Sequence, residues 1–127
     1  MNMTAPLEVA LVVSDLARMR QFYEKALGLA FVSEIVVGPE KSAEAAMSDV
    51  GYTVVRLQTP YGERIKLVAP NRKPAPRQDL SGRMLDHQST IYLTFIVDDI
   101  AKVVEQVRAE GATLLNAQPV TEVRDGV

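Results

Sequence analysis

The chain has 127 residues, the size of one domain, and a chain this long buries enough surface to fold without staples. Its 24% charged and 47% hydrophobic residues are the balance of an ordinary globular protein, and a net charge of −2 builds no basic face for nucleic acid. The absence of cysteine excludes disulfides, thiolate chemistry and Cys-based zinc sites, and no apolar run approaches the ~20 residues of a bilayer span.

The start Met1-Asn2-Met3-Thr4 has no basic n-region, so no signal peptide is visible and the cytoplasm is the expected compartment. Leu7 to Val13 is β-rich and mostly apolar, which predicts a buried strand. Ser14 and Asp15 follow as N-cap types. Leu16, Met19, Phe22, Tyr23, Ala26 and Leu27 then recur at helical spacing, and Gly28 sits where a left-handed cap would stop the helix. A second strand is expected over Leu29 to Val37, and Gly38 to Val50 reads as a loop or short helical turn. Tyr52 to Gln58 and Arg64 to Ala69 flank Thr59-Pro60-Tyr61-Gly62-Glu63, the pattern of a hairpin.

Pro70 to Ser89 contains Pro70, Pro74 and Pro76 and no periodicity, so it is expected to be a linker or lid. It carries His87, the chain's one histidine, which alone assembles no metal site and reads as a solvated loop residue. Its Arg72, Lys73, Arg77 and Arg83 either meet an anionic ligand or keep the loop soluble. Ile91 to Val97 is again strand-like, Asp98 and Asp99 supply caps, and Ile100, Val103, Val104 and Val107 form a stripe that ends at Gly111. A last apolar stretch follows over Ala112 to Leu115. One offset carries Asp15 onto Asp99 and Ala17 onto Ala101, so the pattern is read as an internal duplication whose second helix is about a residue shorter.

The first copy thus reads βαβββ, over residues 7–69, and the second occupies 90–127 of a single domain. The second copy lacks its final hairpin as far as Val127. The duplication therefore leads to an expected strand pair beyond that point, or to a second chain that covers the open sheet edge as a homodimer.

Val9-Ala10-Leu11-Val12-Val13-Ser14-Asp15-Leu16, with Phe22-Tyr23 and Leu27-Gly28, resembles the opening signature of the vicinal oxygen chelate superfamily. Phe95-Ile96-Val97-Asp98-Asp99-Ile100 resembles its second-module counterpart. That superfamily contains glyoxalase I, extradiol dioxygenases, methylmalonyl-CoA epimerase and bleomycin resistance proteins. The resemblance implies an α+β fold of two βαβββ modules forming a half-open curved barrel, the second module incomplete over these residues. In the superfamily's enzymes a divalent metal sits in the cup of the sheet, held by His or Gln on the first strand of each module and Glu on the last. Those positions correspond here to Glu8, Tyr92 and Lys66. An ammonium has no acceptor and a neutral phenol is a poor ligand, so no metal or other cofactor is expected.

Strand alternation sends Glu8, Ala10 and Val12 to one face, and the resemblance brings Lys66 and Tyr92 to the same cup, with Arg56 and Gln58 as neighbours. Three readings remain for Glu8, Lys66, Tyr92 and Arg56: ligand recognition, a Glu8–Lys66 pair that replaces the metal, or acid–base chemistry. In the second, Lys66→Ala would strand a partly buried carboxylate. The expected function is binding of a small organic molecule, of which an anion is one case, without membrane or nucleic-acid partners. The alternative is a metal-dependent lyase, isomerase or dioxygenase of the lactoylglutathione lyase kind.

Overall fold

The computed structural model describes residues 1–76, 84–86, 88 and 91–115. Its sheet has four strands: β1 (Glu8–Val12), β2 (Ala30–Val37), β3 (Tyr52–Gln58) and β4 (Arg64–Pro70). Helix α1 (Leu16–Lys25) lies between β1 and β2, and the short helix α2 (Pro39–Glu44) between β2 and β3. The strand order is β1-β4-β3-β2. β3 pairs antiparallel with both β2 and β4, whereas β1 runs parallel to β4, with Glu8 opposite Arg64 and Ala10 opposite Lys66. The fold is α+β, an open curved sheet that does not close into a barrel.

The β3–β4 connection is the expected tight turn, in which the Gly62 amide donates to the Thr59 carbonyl at 3.1 Å. On one face of the sheet Val55, Leu57, Ile65 and Leu67 form the core with Tyr23 and Leu29. Leu16, Met19 and Phe22 of α1 pack against them, which is where the apolar stripe of that helix goes. Val55, Leu57 and Leu67 are fully buried. Residues one position out of phase, including Glu8, Arg56 and Lys66, therefore stand on the opposite face.

The two long helices begin alike. α1 begins at Asp15, whose carboxylate accepts the Arg18 amide at 2.9 Å. Helix α3 (Ile100–Ala109) begins at Asp99, whose carboxylate accepts the Lys102 amide at 3.0 Å. Both helices have ten residues, so the second is not shorter; the missing residue lies between the helix and its stop glycine. Gly28 and Gly111 both adopt positive φ, 67° and 90°, where a side chain would be strained. The two helices touch through Glu110. Its carbonyl accepts from the Arg18 guanidinium and its carboxylate from the Gln21 amide at 3.2 Å.

Ile91–Val97 departs from expectation. It joins no ladder among the described residues, and Ile91, Tyr92 and Ile96 are exposed while Leu93 packs against the core. β propensity reports how well side chains fit a pleated, half-buried surface, and it forms no strand without a hydrogen-bonding neighbour. Ala112–Leu115 likewise forms no strand. The expectations for Arg77, Arg83 and His87 lie outside the described residues. No described helix is long and apolar enough to cross a membrane.

The two caps differ in what hangs on them. α1 covers the core, whereas α3 buries no residue fully. Asp15→Ala is expected to lower global stability by about 1 kcal/mol in urea unfolding. Asp99→Ala should leave the main transition nearly unmoved and instead speed amide exchange in α3.

Candidate functional site

The face opposite α1 divides along the strands. At one end stand Glu8 on β1, Arg64 and Lys66 on β4, and Arg56 on β3. Toward the other end come Ala10 and Val12, Val68, Val54 and Ile35. A bulge between Phe31 and Ser33 shifts the phase of β2, which brings Ser33 opposite Arg56 on this face.

The parallel β1–β4 ladder and the antiparallel β3–β4 ladder place four charges within reach of one another. The Glu8 carboxylate lies 3.1 Å from Arg56 Nε, 3.7 Å from an Arg64 terminal nitrogen and 3.3 Å from Lys66 Nζ. One carboxylate oxygen serves both guanidiniums and the other serves the ammonium. The four side chains are between 21% and 30% exposed, so water screens these contacts only in part. Arg56 also donates to the Ser33 hydroxyl at 3.4 Å. Gln58, on the same face, is instead tied to its own turn, donating to the Gly62 carbonyl at 2.9 Å. Arg64 Nε is buried and makes no hydrogen bond among the described residues.

Partial burial alone would push the Glu8 carboxyl up. The Lys66 hydrogen bond and the charges of Arg56 and Lys66 outweigh it and hold the carboxyl below its ordinary value. Glu8 is therefore firmly ionised near neutrality. A general base works best with a pKa near the operating pH, so this carboxylate is poorly placed for proton transfer.

Of the expected site residues, the structure brings Glu8, Lys66 and Arg56 together and does not add Tyr92. The Tyr92 phenol is 61% exposed, belongs to no strand and makes no hydrogen bond among the described residues. Arg64 is the member that sequence reasoning missed. The signal was present, since Arg64 lies two residues before Lys66 on the same strand, but its meeting with Glu8 depends on the parallel register. Arg72, from the linker, pairs with Asp49 at 2.6 Å. Shallow cavities of about 330 and 370 Å³ lie around the loop after α2 and are lined by none of the four cluster residues.

Profile comparison matches residues 6–124 to the Glyoxalase/Bleomycin resistance protein/Dioxygenase superfamily, and the chain belongs to it. Among solved structures, a glyoxalase family protein from Bacillus cereus is similar with a TM-score of 0.71 and 23% identity, covering 96% of this chain and 82% of that one. A protein from the mobile metagenome of V. Pseudocholerae gives a TM-score of 0.53 at 23% identity, over 98% of this chain and 80% of its own. An integron cassette protein of V. Cholerae gives 0.51 at 21% identity, over the same shares. At these identities the likeness concerns the fold. No curated protein sequence matches the chain.

The residues present do not fit the superfamily's divalent metal. Both Glu8 oxygens already face cations, and Lys66 brings a positive charge to the position of an acidic ligand. No group of three His, Cys, Asp or Glu among the described residues is arranged to hold a metal ion.

The cluster also corrects the expected cost of losing Lys66. Two guanidiniums remain beside Glu8 in Lys66→Ala, so the carboxylate is not stranded. Glu8 is the member without a substitute, because its loss leaves three cations facing one another. Glu8→Gln is expected to cost about 1–2 kcal/mol near neutrality, more than Lys66→Ala. The lowered carboxyl makes this contribution fully present above the ordinary carboxylate range and lost as pH falls through the lowered value. Urea unfolding of wild type and Glu8→Gln should therefore diverge near neutrality and converge as the pH falls through the lowered carboxyl value.

Proposed function

We propose that this protein binds a small organic molecule on the face of the sheet opposite α1, through the Glu8–Arg56–Arg64–Lys66 cluster and without a resident metal. The observation that carries the reading is the ring of three cations around Glu8, where the superfamily's enzymes gather metal ligands. Small-molecule sites join an apolar surface to a few convergent polar groups that fix orientation, and this face has that division. Val54, Val68, Val12 and Ile35 form the apolar part beside the charged end. Acid–base catalysis fits less well, because Glu8 is held ionised and Tyr92 does not join it.

The test is a fragment mixture titrated into isotope-labelled protein and followed by amide NMR. Hits are expected to shift Glu8, Arg56, Arg64, Lys66 and Val68, and to leave the α1 surface unmoved. Zinc, nickel or manganese added to the protein should give no tight stoichiometric binding. A metal bound at one equivalent and lost in Glu8→Ala, or fragments that shift only residues outside this face, would overturn the reading.

A further inference from the structure

We infer that the molecule bound on this face is an organic carboxylate with an apolar tail. The inference rests on the binding reading above and names its ligand class. Three cations share one carboxylate, so the charged end of the face keeps an excess of two positive charges, within a chain whose net charge is −2. The excess is chemical as well as electrostatic. Two guanidiniums and an ammonium carry far more N–H donors than one carboxylate has lone pairs. Among the described residues only Ser33 takes up a further donor of Arg56, and Arg64 Nε makes no hydrogen bond. Planar guanidinium forks match a carboxylate, with charge-assisted hydrogen bonds roughly twice as strong as neutral ones.

The rest of the face supplies the tail. Val68 follows Lys66 by two residues on β4, about 7 Å along a strand. Val54 lies opposite Val68, and the two are nearly buried, at 8% and 6% exposure. Val12 and Ile35 flank them and remain exposed, at 66% and 42%. A carboxylate at the cations therefore directs an attached chain over four branched apolar side chains that carry no charge. A small hydrophilic anion would leave the exposed Val12 and Ile35 wet, and a neutral apolar molecule would leave the donors unsatisfied. An organic cation would meet net repulsion, because Glu8 is outnumbered.

The experiment compares octanoate with acetate, octanamide and octylammonium, by amide NMR and calorimetry on the wild-type chain. Octanoate is expected to shift the Arg56, Lys66 and Val68 amides in a saturable way. Acetate and octanamide should bind about tenfold or more weakly, as expected on losing the tail or the charged contact. Arg56→Gln leaves Glu8 paired with Arg64 and Lys66, and is expected to weaken octanoate about tenfold and octanamide less. Arg64→Gln provides the same test from the other guanidinium should Arg56→Gln not fold. Octanamide as tight as octanoate, or octylammonium tighter, overturns the inference. If octanoate is silent while neutral fragments still shift this face, the ligand class falls and the binding reading stands. If nothing shifts the face, both fall.

Discussion

The Glu8 carboxylate is the interaction on which the polar end of this sheet depends. Arg64 and Lys66 stand two residues apart on one strand, and Arg56 lies directly opposite Lys66 on the next. Like charges so placed destabilise a sheet. Glu8 reaches all three from the edge strand β1, and so makes an otherwise repulsive arrangement cohesive. The same contacts bridge β1, β4 and β3, set the sign of the field on the open face, and keep the carboxylate ionised.

Much of this was legible in the sequence. Strand alternation assigned Glu8 to one face, the family resemblance brought Lys66 to it with Arg56 as a neighbour, and the cap, stripe and glycine grammar located both long helices. Those features are local, set by side chains within a turn or two of each other. What escaped was whatever depended on pairing. Arg64 enters the cluster only because β1 lies parallel to β4 in one register. Tyr92 was assigned by correspondence with the first copy, and the correspondence does not carry over the sheet that would bring its side chain to Glu8. Ile91–Val97 has the composition of a strand and lacks a ladder among the described residues. Composition describes what a segment would suit, and a partner decides whether it forms.

Membership in the superfamily settles the architecture more firmly than the chemistry. A metal centre gathers electron-rich donors around a cation. Here cations gather around an anion, the opposite electrostatic arrangement. The backbone scaffold accommodates it because the sheet is held by the core beneath α1, on the opposite face. Chemistry on one face and cohesion on the other vary almost independently, and one fold can therefore host unrelated sites.

The parallel placement of β1 also bears on how the chain assembles. β2, β3 and β4 form a meander of sequence neighbours, whose pairing closes far shorter segments than the pairing of β1. β1 must cross nearly the whole module to reach β4, and long-range pairing carries the larger loop-closure cost and forms slowly. Until β1 pairs, β4 would be an open edge with Arg64 and Lys66 on it. Their mutual repulsion of another such edge hinders misassociation between chains, in the way edge lysines do elsewhere. A two-residue slip toward the turn before β4 would keep every apolar side chain on its proper face and still carry Glu8 past Arg64 to Gly62, away from its cations. The charges thus disfavour one of the slips that hydrophobic burial alone would allow.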